Sequence, residues 1–499
     1  MGVLTLIALV FYGEEDLRGW LMWHHFQQQA EANGERLDFA SIVPPPVPGD
    51  KNFALTPIVA SCYESLLTKD GKRIVPPNTN VVDHLKMSIY EDSNPTPTNG
   101  NWMKGNFTDF KEWQTYYRTS VTNGDYVTNE FPVAPQPQAP AADVLLALSK
   151  YDLPVEELRK ASALPDSRFP LNYDSEKPSM IVLPHLASIK RCAELLQLRA
   201  LAELELGQSD KALDDVKLSF RLMDSIRTEP FLISHLVRIG CLSIVTQPIW
   251  EGVNKHEWSD AQLAEIEKEL GKLDFLTDCK LSMRGERNSH VATIDTMRRD
   301  RSYARYWCVL TTVEDNRYWK WNEFLFVALN HLLPDGWFYQ NEIIIAKFHQ
   351  EYWLPATDSG KHLASPNTTS QADEAIDKLS PMPWNCIARM FLPALGISER
   401  RFVHGQETAD LAQLGCALER YRLAHGQFPE TLDSLVPQFI AQVPHDIIGG
   451  QPLHYRRKED GKFLLYSVGW NETDDGGQIS LSDYGTFQMK NGDWVWFNP

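Results

Sequence analysis

No two cysteines in this sequence stand close enough to form a CxxC or Cys/His metal knuckle. There are seven, Cys62, Cys192, Cys241, Cys279, Cys308, Cys386 and Cys416, and the nearest pair, Cys279 and Cys308, is 29 positions apart. That spacing excludes zinc-knuckle and thioredoxin-type sites. It leaves scattered buried thiols, or a disulfide or two in an oxidising compartment. The sequence also has no GxSxG, HExxH, Walker-A or GxGxxG motif, so nothing nominates a serine hydrolase, a zinc protease, a P-loop enzyme or a dinucleotide fold. Basic residues are few, 48 against 66 acidic ones, for a net charge of −18. Nucleic-acid binders need a basic face towards phosphate, so this balance argues against nucleic acid and favours cations.

A bilayer-length apolar run is missing as well. Val3 to Tyr12 is apolar, then Gly13-Glu14-Glu15-Asp16 follows at once. Spanning a bilayer takes about 20 residues, and neither a basic n-region nor a small-residue cleavage site accompanies the run. Its first reading is the tail of a membrane anchor. The alternatives are a weak signal and a buried segment.

What is present suits a folded chain. Hydrophobic residues make up 43% and charged residues 23%, which rules out wholesale disorder, and 499 residues suit two or three domains. The expected divisions are the apolar segment 1–12, an N-terminal helix and irregular region over 13–131, a helical domain over 141–395 and a terminal domain over 400–499. The fold class expected is α+β, mainly α-helical, ending in a helix with a small antiparallel sheet.

Trp20–Asn33 reads as an amphipathic helix stopped by Gly34. Proline-rich stretches at 44–48 and 132–140 read as spacers. The polar region 52–129 reads as irregular, with short strands and a helix near 109–118. Leu186, Ile189, Ala193, Leu196, Ala200 and Leu204 recur at helical spacing, and a second helix follows Gly207. This pair resembles one tetratricopeptide hairpin without a second copy. Ser259 and Gln262 form a capping-box pattern. Further helices are expected over 277–305, 322–333, 341–352 and 385–392, with a loop over 358–375.

At the C-terminal end, Leu411, Leu414, Leu418 and Tyr421 mark a helix that stops at Gly426. Strands at 453–457 and 462–468 are joined by an Asp460-Gly461 turn. In order come Leu418-x-x-Tyr421, Gly426-x-Phe428-Pro429, Leu432-x-x-Leu435, Pro444-x-Asp446, Tyr455, Tyr466-Ser467-x-Gly469, Asp474-Asp475-Gly476-Gly477 and Asp493-Trp494. This series resembles the globular domain of the type II secretion major pseudopilins. The layout of the whole chain is similar to that of large bacterial envelope proteins. The resemblance implies a secretion-associated module for protein partners, an inner-membrane anchor with the bulk facing the periplasm, and a calcium loop. The calcium ligands it suggests are Asn471, Asp474, Asp475 and Asp483, with Asp493 as a further ligand or a turn cap. Calcium takes six to eight oxygens, which a glycine-rich acidic loop can gather. The module departs from a pilin in its C-terminal position, in the charges Glu407, Asp410, Glu419 and Arg420 on its helix, and in the lack of a processing motif before it. Polymerisation as a pilin is therefore not expected.

Four other features have a functional and a plainer reading. Glu286 and His290, four apart, are a two-ligand pattern or an ordinary ion pair, and His24-His25 beside Trp20 and Trp23 is interfacial or surface-packed. Arg284, Arg287, Arg298, Arg299, Arg301 and Arg305, beside Tyr303, Tyr306 and Trp307, read as ion-paired in so acidic a chain. The aromatics of 303–353 read as core, with a glycan platform or a membrane surface as alternatives. Two competing functions remain: an envelope enzyme acting on glycan or peptide through a cleft in the helical domain, and a helical peptide-binding scaffold.

Overall fold

The computed structural model describes residues 2–90, 96–97, 99–119, 131–303 and 330–499. It is 56% helix and 7% strand, which establishes the mainly helical α+β class. Helix α1 runs unbroken over Gly2–Ala32, joining the apolar run to the amphipathic helix that follows it. Its buried positions, Glu15, Gly19, Trp23, Phe26 and Ala30, fall at steps of three and four and make one packing face. After α1 the chain is irregular. It holds a short α2 (Pro57–Ala60) and α3 (Phe110–Thr119), with isolated bridges in place of the expected strands among the described residues.

The body follows as α4 (Pro140–Leu148), α5 (Asp152–Ala161), α6 (His185–Glu205), α7 (Ser209–Asp224), α8 (Leu232–Asn254), α9 (Asp260–Leu270) and α10 (Phe275–Arg299). Helices α6 and α7 form the expected hairpin, and Gly207 between them takes φ +71°. Ser259 and Gln262 form the expected capping box on α9. Then come α11 (Asp335–Phe348), α12 (Pro366–Lys378), α13 (Cys386–Phe391) and α14 (Leu395–His425). The helix expected over 322–333 lies largely outside the described residues.

Helix α12 occupies ground expected to be loop. Ser365 caps it by accepting from the Thr368 amide, and Pro366 sits in its first turn, where a missing N–H costs nothing. Its buried side, Thr369, Ala372 and Ile376, is helical in spacing but weakly apolar.

Two-residue strands β1 (Thr357–Asp358) and β2 (Leu363–Ala364) pair just before α12. The terminal sheet contains β3 (His454–Arg457) and β4 (Phe463–Ser467), with β5 (Ile479–Leu481) and β6 (Phe487–Gly492) forming a separate hairpin before β7 (Trp494–Trp496). The order β3-β4-β7 is antiparallel throughout, with Tyr455 opposite Leu465 and Leu465 opposite Trp496. The hairpin turns at Gly461, φ +81°.

Helix α14 begins at Leu395, across the expected division, and packs on α8, α9, α10 and α12 as well as on its own sheet. At Gly415 a Cβ would stand 2.6 Å from the Trp496 ring, so only glycine admits the β7 tryptophan this close. The chain end is tied to α8: Trp250 Nε1 donates to the Phe497 carbonyl at 2.8 Å, and Asn498 Nδ2 to Asn254 Oδ1 at 2.7 Å. One hydrophobic core therefore runs from Phe39 through the helical body to Trp496.

Helix α1 leans on α11 by a close crossing. A Cβ on Gly19 would stand 2.4 Å from the Gly336 backbone, and one on Gly336 would stand 1.9 Å from the Glu15 carbonyl. Polar contacts reinforce the crossing: Glu15 Oε2 accepts from Trp337 Nε1 at 2.9 Å, and Asp16 Oδ1 from the Gly336 amide at 3.0 Å.

Candidate functional site

A cleft of about 510 Å³ opens where the helical body meets the terminal sheet domain. Its walls come from the end of α9, the link to α10, the β1–β2 turn, one face of α14 and the loop 440–445. Each wall is held by a specific contact. Asp274 caps α10 by accepting from the Thr277 amide at 2.8 Å. Gln406 on α14 accepts from the Phe275 amide at 2.8 Å and donates to Asp410 Oδ1 at 3.0 Å. His362 in the β1–β2 turn donates from Nε2 to Asp410 Oδ2 at 2.6 Å. His445 donates from Nε2 to the His362 carbonyl at 3.0 Å.

His362 takes φ +55°, a left-handed conformation uncommon for a residue with a Cβ, so the turn holds it against local preference. The hydrogen bond to Asp410 raises its pKa above the ordinary histidine value, with burial opposing. With Nε2 committed to Asp410, Nδ1 is its open nitrogen. No spacing in the sequence announces this pair, since 48 residues separate its members.

Behind the cleft wall lie two more carboxyls. Glu407 is fully buried, accepts from the Ile447 amide at 3.2 Å, and is pushed well above the carboxylate range by burial and by Asp446 and Asp410. Asp446 accepts from the Ile448 amide at 2.8 Å, the Ser467 hydroxyl at 2.9 Å and the Val468 amide at 2.9 Å.

The residues suggested as calcium ligands are only partly brought together. Asn471, Asp474 and Asp475 share one loop, which is closed by its own hydrogen bonds. Asn471 Nδ2 donates to Asp475 Oδ2 at 2.9 Å, and Asp474 Oδ1 accepts from Tyr466 Oη and from the Gly476 amide, both at 2.9 Å. Asp493 is a turn cap, accepting from the amides of Asp475 and Gly477 at 3.2 and 2.6 Å. Asp483 lies apart, in the turn between β5 and β6. Among the described residues no three His, Cys, Asp or Glu side chains are gathered as a metal-binding set.

The other sequence candidates have plain explanations. His290 Nε2 lies 3.5 Å from Glu286 Oε2; burial lowers the histidine pKa to about 4 and raises that of Glu286 to about 7. His24 stacks on Trp20 at 4.2 Å on the exposed side of α1. The arginine cluster is ion-paired: Arg284 and Arg287 to Glu35, Arg298 and Arg299 to Asp295, and Arg301 to Asp335. Arg305, Tyr306 and Trp307 lie outside the described residues. Of the 303–353 aromatics described, Tyr303, Phe338, Phe348 and Trp353 are buried as core. The six described cysteines are unpaired, and Cys308 lies outside the described residues.

A second cleft of about 460 Å³ lies along α7. Its cations are already matched, with Lys217 to Glu265, Arg227 to Asp224, Lys272 to Glu269 and Arg159 to Asp215, so it offers no bare positive charge to an anion. No family model, curated protein or solved structure matches the chain.

Proposed function

We propose that this is a membrane-tethered binding protein, with α1 entering a lipid surface and the fused helical and sheet domains meeting protein partners. One observation carries the tether. Val3, Leu4, Leu6, Ile7, Leu9 and Val10 are each 60–73% exposed and point all round the helix. A water-facing helix hides its apolar residues in one stripe, and one apolar on every side needs an apolar surrounding. Ten residues reach about 15 Å, half of a bilayer core. Just below sits an aromatic group of the kind that favours the lipid–water boundary. Phe11 lies 6.2 Å from Trp337, Trp337 lies 5.9 Å from Trp384, and Trp20 is exposed on the same helix.

The pseudopilin likeness adds an outward-facing site on a bacterial inner membrane as part of the same proposal. What supports the module reading is the order of a long helix, then an antiparallel sheet. Pilin-type polymerisation is disfavoured because α14 is already covered by four helices of the body.

The test is flotation of the full chain with phosphatidylcholine vesicles. The natural chain is expected to float, and a Leu4→Glu, Ile7→Glu, Val10→Glu variant to stay with soluble protein at an unchanged melting temperature. Equal partition of both chains would end the reading. Calcium stiffening of the 471–475 loop rests on the resemblance alone. It predicts stabilisation by calcium over excess chelator that disappears in Asp474→Ala, Asp475→Ala. Equal melting of the natural chain in both conditions sinks it.

A further inference from the structure

We infer that the cleft between the helical body and the terminal sheet domain binds a short peptide without acidic side chains, in extended conformation. The inference deepens the binding reading but stands apart from the tether, since its test uses no lipid.

The first ground is backbone. Ala441, Gln442 and Val443 line the cleft in an irregular stretch, and neither their amides nor their carbonyls make a hydrogen bond among the described residues. Three consecutive unpaired peptide units at the lip of a cleft form a short open edge, which an extended peptide can pair with as it would with a strand.

The second ground is the side chains left free. Ser359, Gln413 and Gln442 line the cleft without a hydrogen-bond partner, whereas both carboxylates already accept hydrogen bonds. Asp274 is spent on Thr277, and Asp410 on Gln406 and His362. The open groups are thus neutral amides and a hydroxyl, each able to donate and accept. That matches peptide amides, and an acidic side chain finds no unpaired cation here while Asp274 and Asp410 face it with like charge. The remaining wall is aliphatic, from Leu270, Leu273, Ile440, Val443 and Pro444, which suits a small apolar side chain. Among the described residues His362 and His445 are the only aromatic rings in the lining, and both are tied into the turn, so none of these residues offers the flat platform a sugar ring stacks on. This favours peptide over glycan.

The third ground is that the cleft is held open by construction. The Asp410–His362–His445 chain of hydrogen bonds fixes the β1–β2 turn across from the 440–445 loop, with His362 kept in its left-handed conformation. A wall so fixed loses little freedom on binding.

The experiment selects a phage-displayed random heptapeptide library on the full chain, then measures the selected synthetic peptides by calorimetry. Expected are peptides free of Asp and Glu with a Kd of about micromolar order, weakened about tenfold or more by Gln413→Trp, which fills the cleft, and by Val443→Pro, which removes an edge amide. Both variants are checked for an unchanged melting temperature. If Val443→Pro melts early, Gln413→Trp decides alone. Peptides that bind the natural and variant chains equally overturn the inference, as does a selection that yields only acidic sequences or none.

Discussion

Asp446→Ala is expected to destabilise the chain by about 3–5 kcal/mol, the loss typical when several buried donors are stripped of one acceptor. The carboxylate ties three separate pieces together: its own turn through the Ile448 amide, the end of β4 through the Ser467 hydroxyl, and the strand exit through the Val468 amide. Ile448 and Ser467 are buried, so water does not replace the lost acceptor there. An opposing effect sets the size. Burial raises the pKa of Asp446, and its charge faces Glu407, so removing it relieves some strain. Asp446→Asn keeps one acceptor oxygen and relieves the same charge, and is expected to cost about half as much. Urea unfolding followed by tryptophan fluorescence and circular dichroism measures both. An alanine cost near zero, or a larger cost for asparagine than for alanine, would show that the carboxylate does not organise the domain.

Asp446 also marks how far the sequence could be read. Pro444-x-Asp446, Phe428, Leu432, Leu435 and Tyr455 were picked out as a pattern, and in the structure they are fasteners. Phe428, Leu432 and Leu435 are buried, and Tyr455 Oη donates to the Pro429 carbonyl at 2.7 Å. Local signals of this kind survive in sequence because turns and caps need particular residues at particular places. The Asp460-Gly461 hairpin and the Ser259 capping box were legible for the same reason.

What escaped the sequence depends on tertiary partners. Helix α12 is rich in Ser, Thr, Asn and Asp, which favour turns when nothing packs on them. Thr369 reaching Glu399 at 2.7 Å and Ile376 meeting the core decide the matter. The cleft is harder still. Its walls come from five stretches between Leu270 and His445, and a peptide edge that is open cannot be told in sequence from one that is paired. The position of Asp483 was out of reach for a related reason. The resemblance set Asp483 beside the loop residues, and the β5–β6 hairpin carries it to a turn of its own.

Stability is expected to fall as pH rises from about 6.5 to about 8, the reverse of the usual acid-side loss. Burial raises Glu399 and Glu203 to about 8 and Glu267 to about 7, from an ordinary value of 4.5. A buried acid raised in this way keeps its proton in the folded chain after the unfolded chain has released it. Its contribution is complete below 4.5 and drains as pH climbs to the folded value. Buried histidines act at the other end. His235 is held down to about 3 and His290 and His404 to about 4, all by burial, so they cost stability only below their ordinary 6.5. Above that value the acids act alone, joined by His362, whose raised pKa gives a loss in the same direction. Each fully buried acid contributes a slope of about 1.4 kcal/mol per pH unit, so two or three together dominate the profile. Carboxylates held low do not enter this window. Glu35 is opposed by burial but lowered by Arg284 and Arg287, and it titrates below 4.5. Glu399 isolates one component, because it is wholly buried, keeps Thr369 on one oxygen and leaves the other without a partner. Glu399→Gln preserves the shape and the Thr369 contact but cannot ionise. It is expected to match the natural chain near pH 5, to gain about 3–4 kcal/mol over it near pH 8, and to flatten the slope by one group. Denaturant unfolding at a series of pH values reads both chains. A profile that rises with pH, or one that Glu399→Gln leaves unchanged, would place the proton of this glutamate elsewhere.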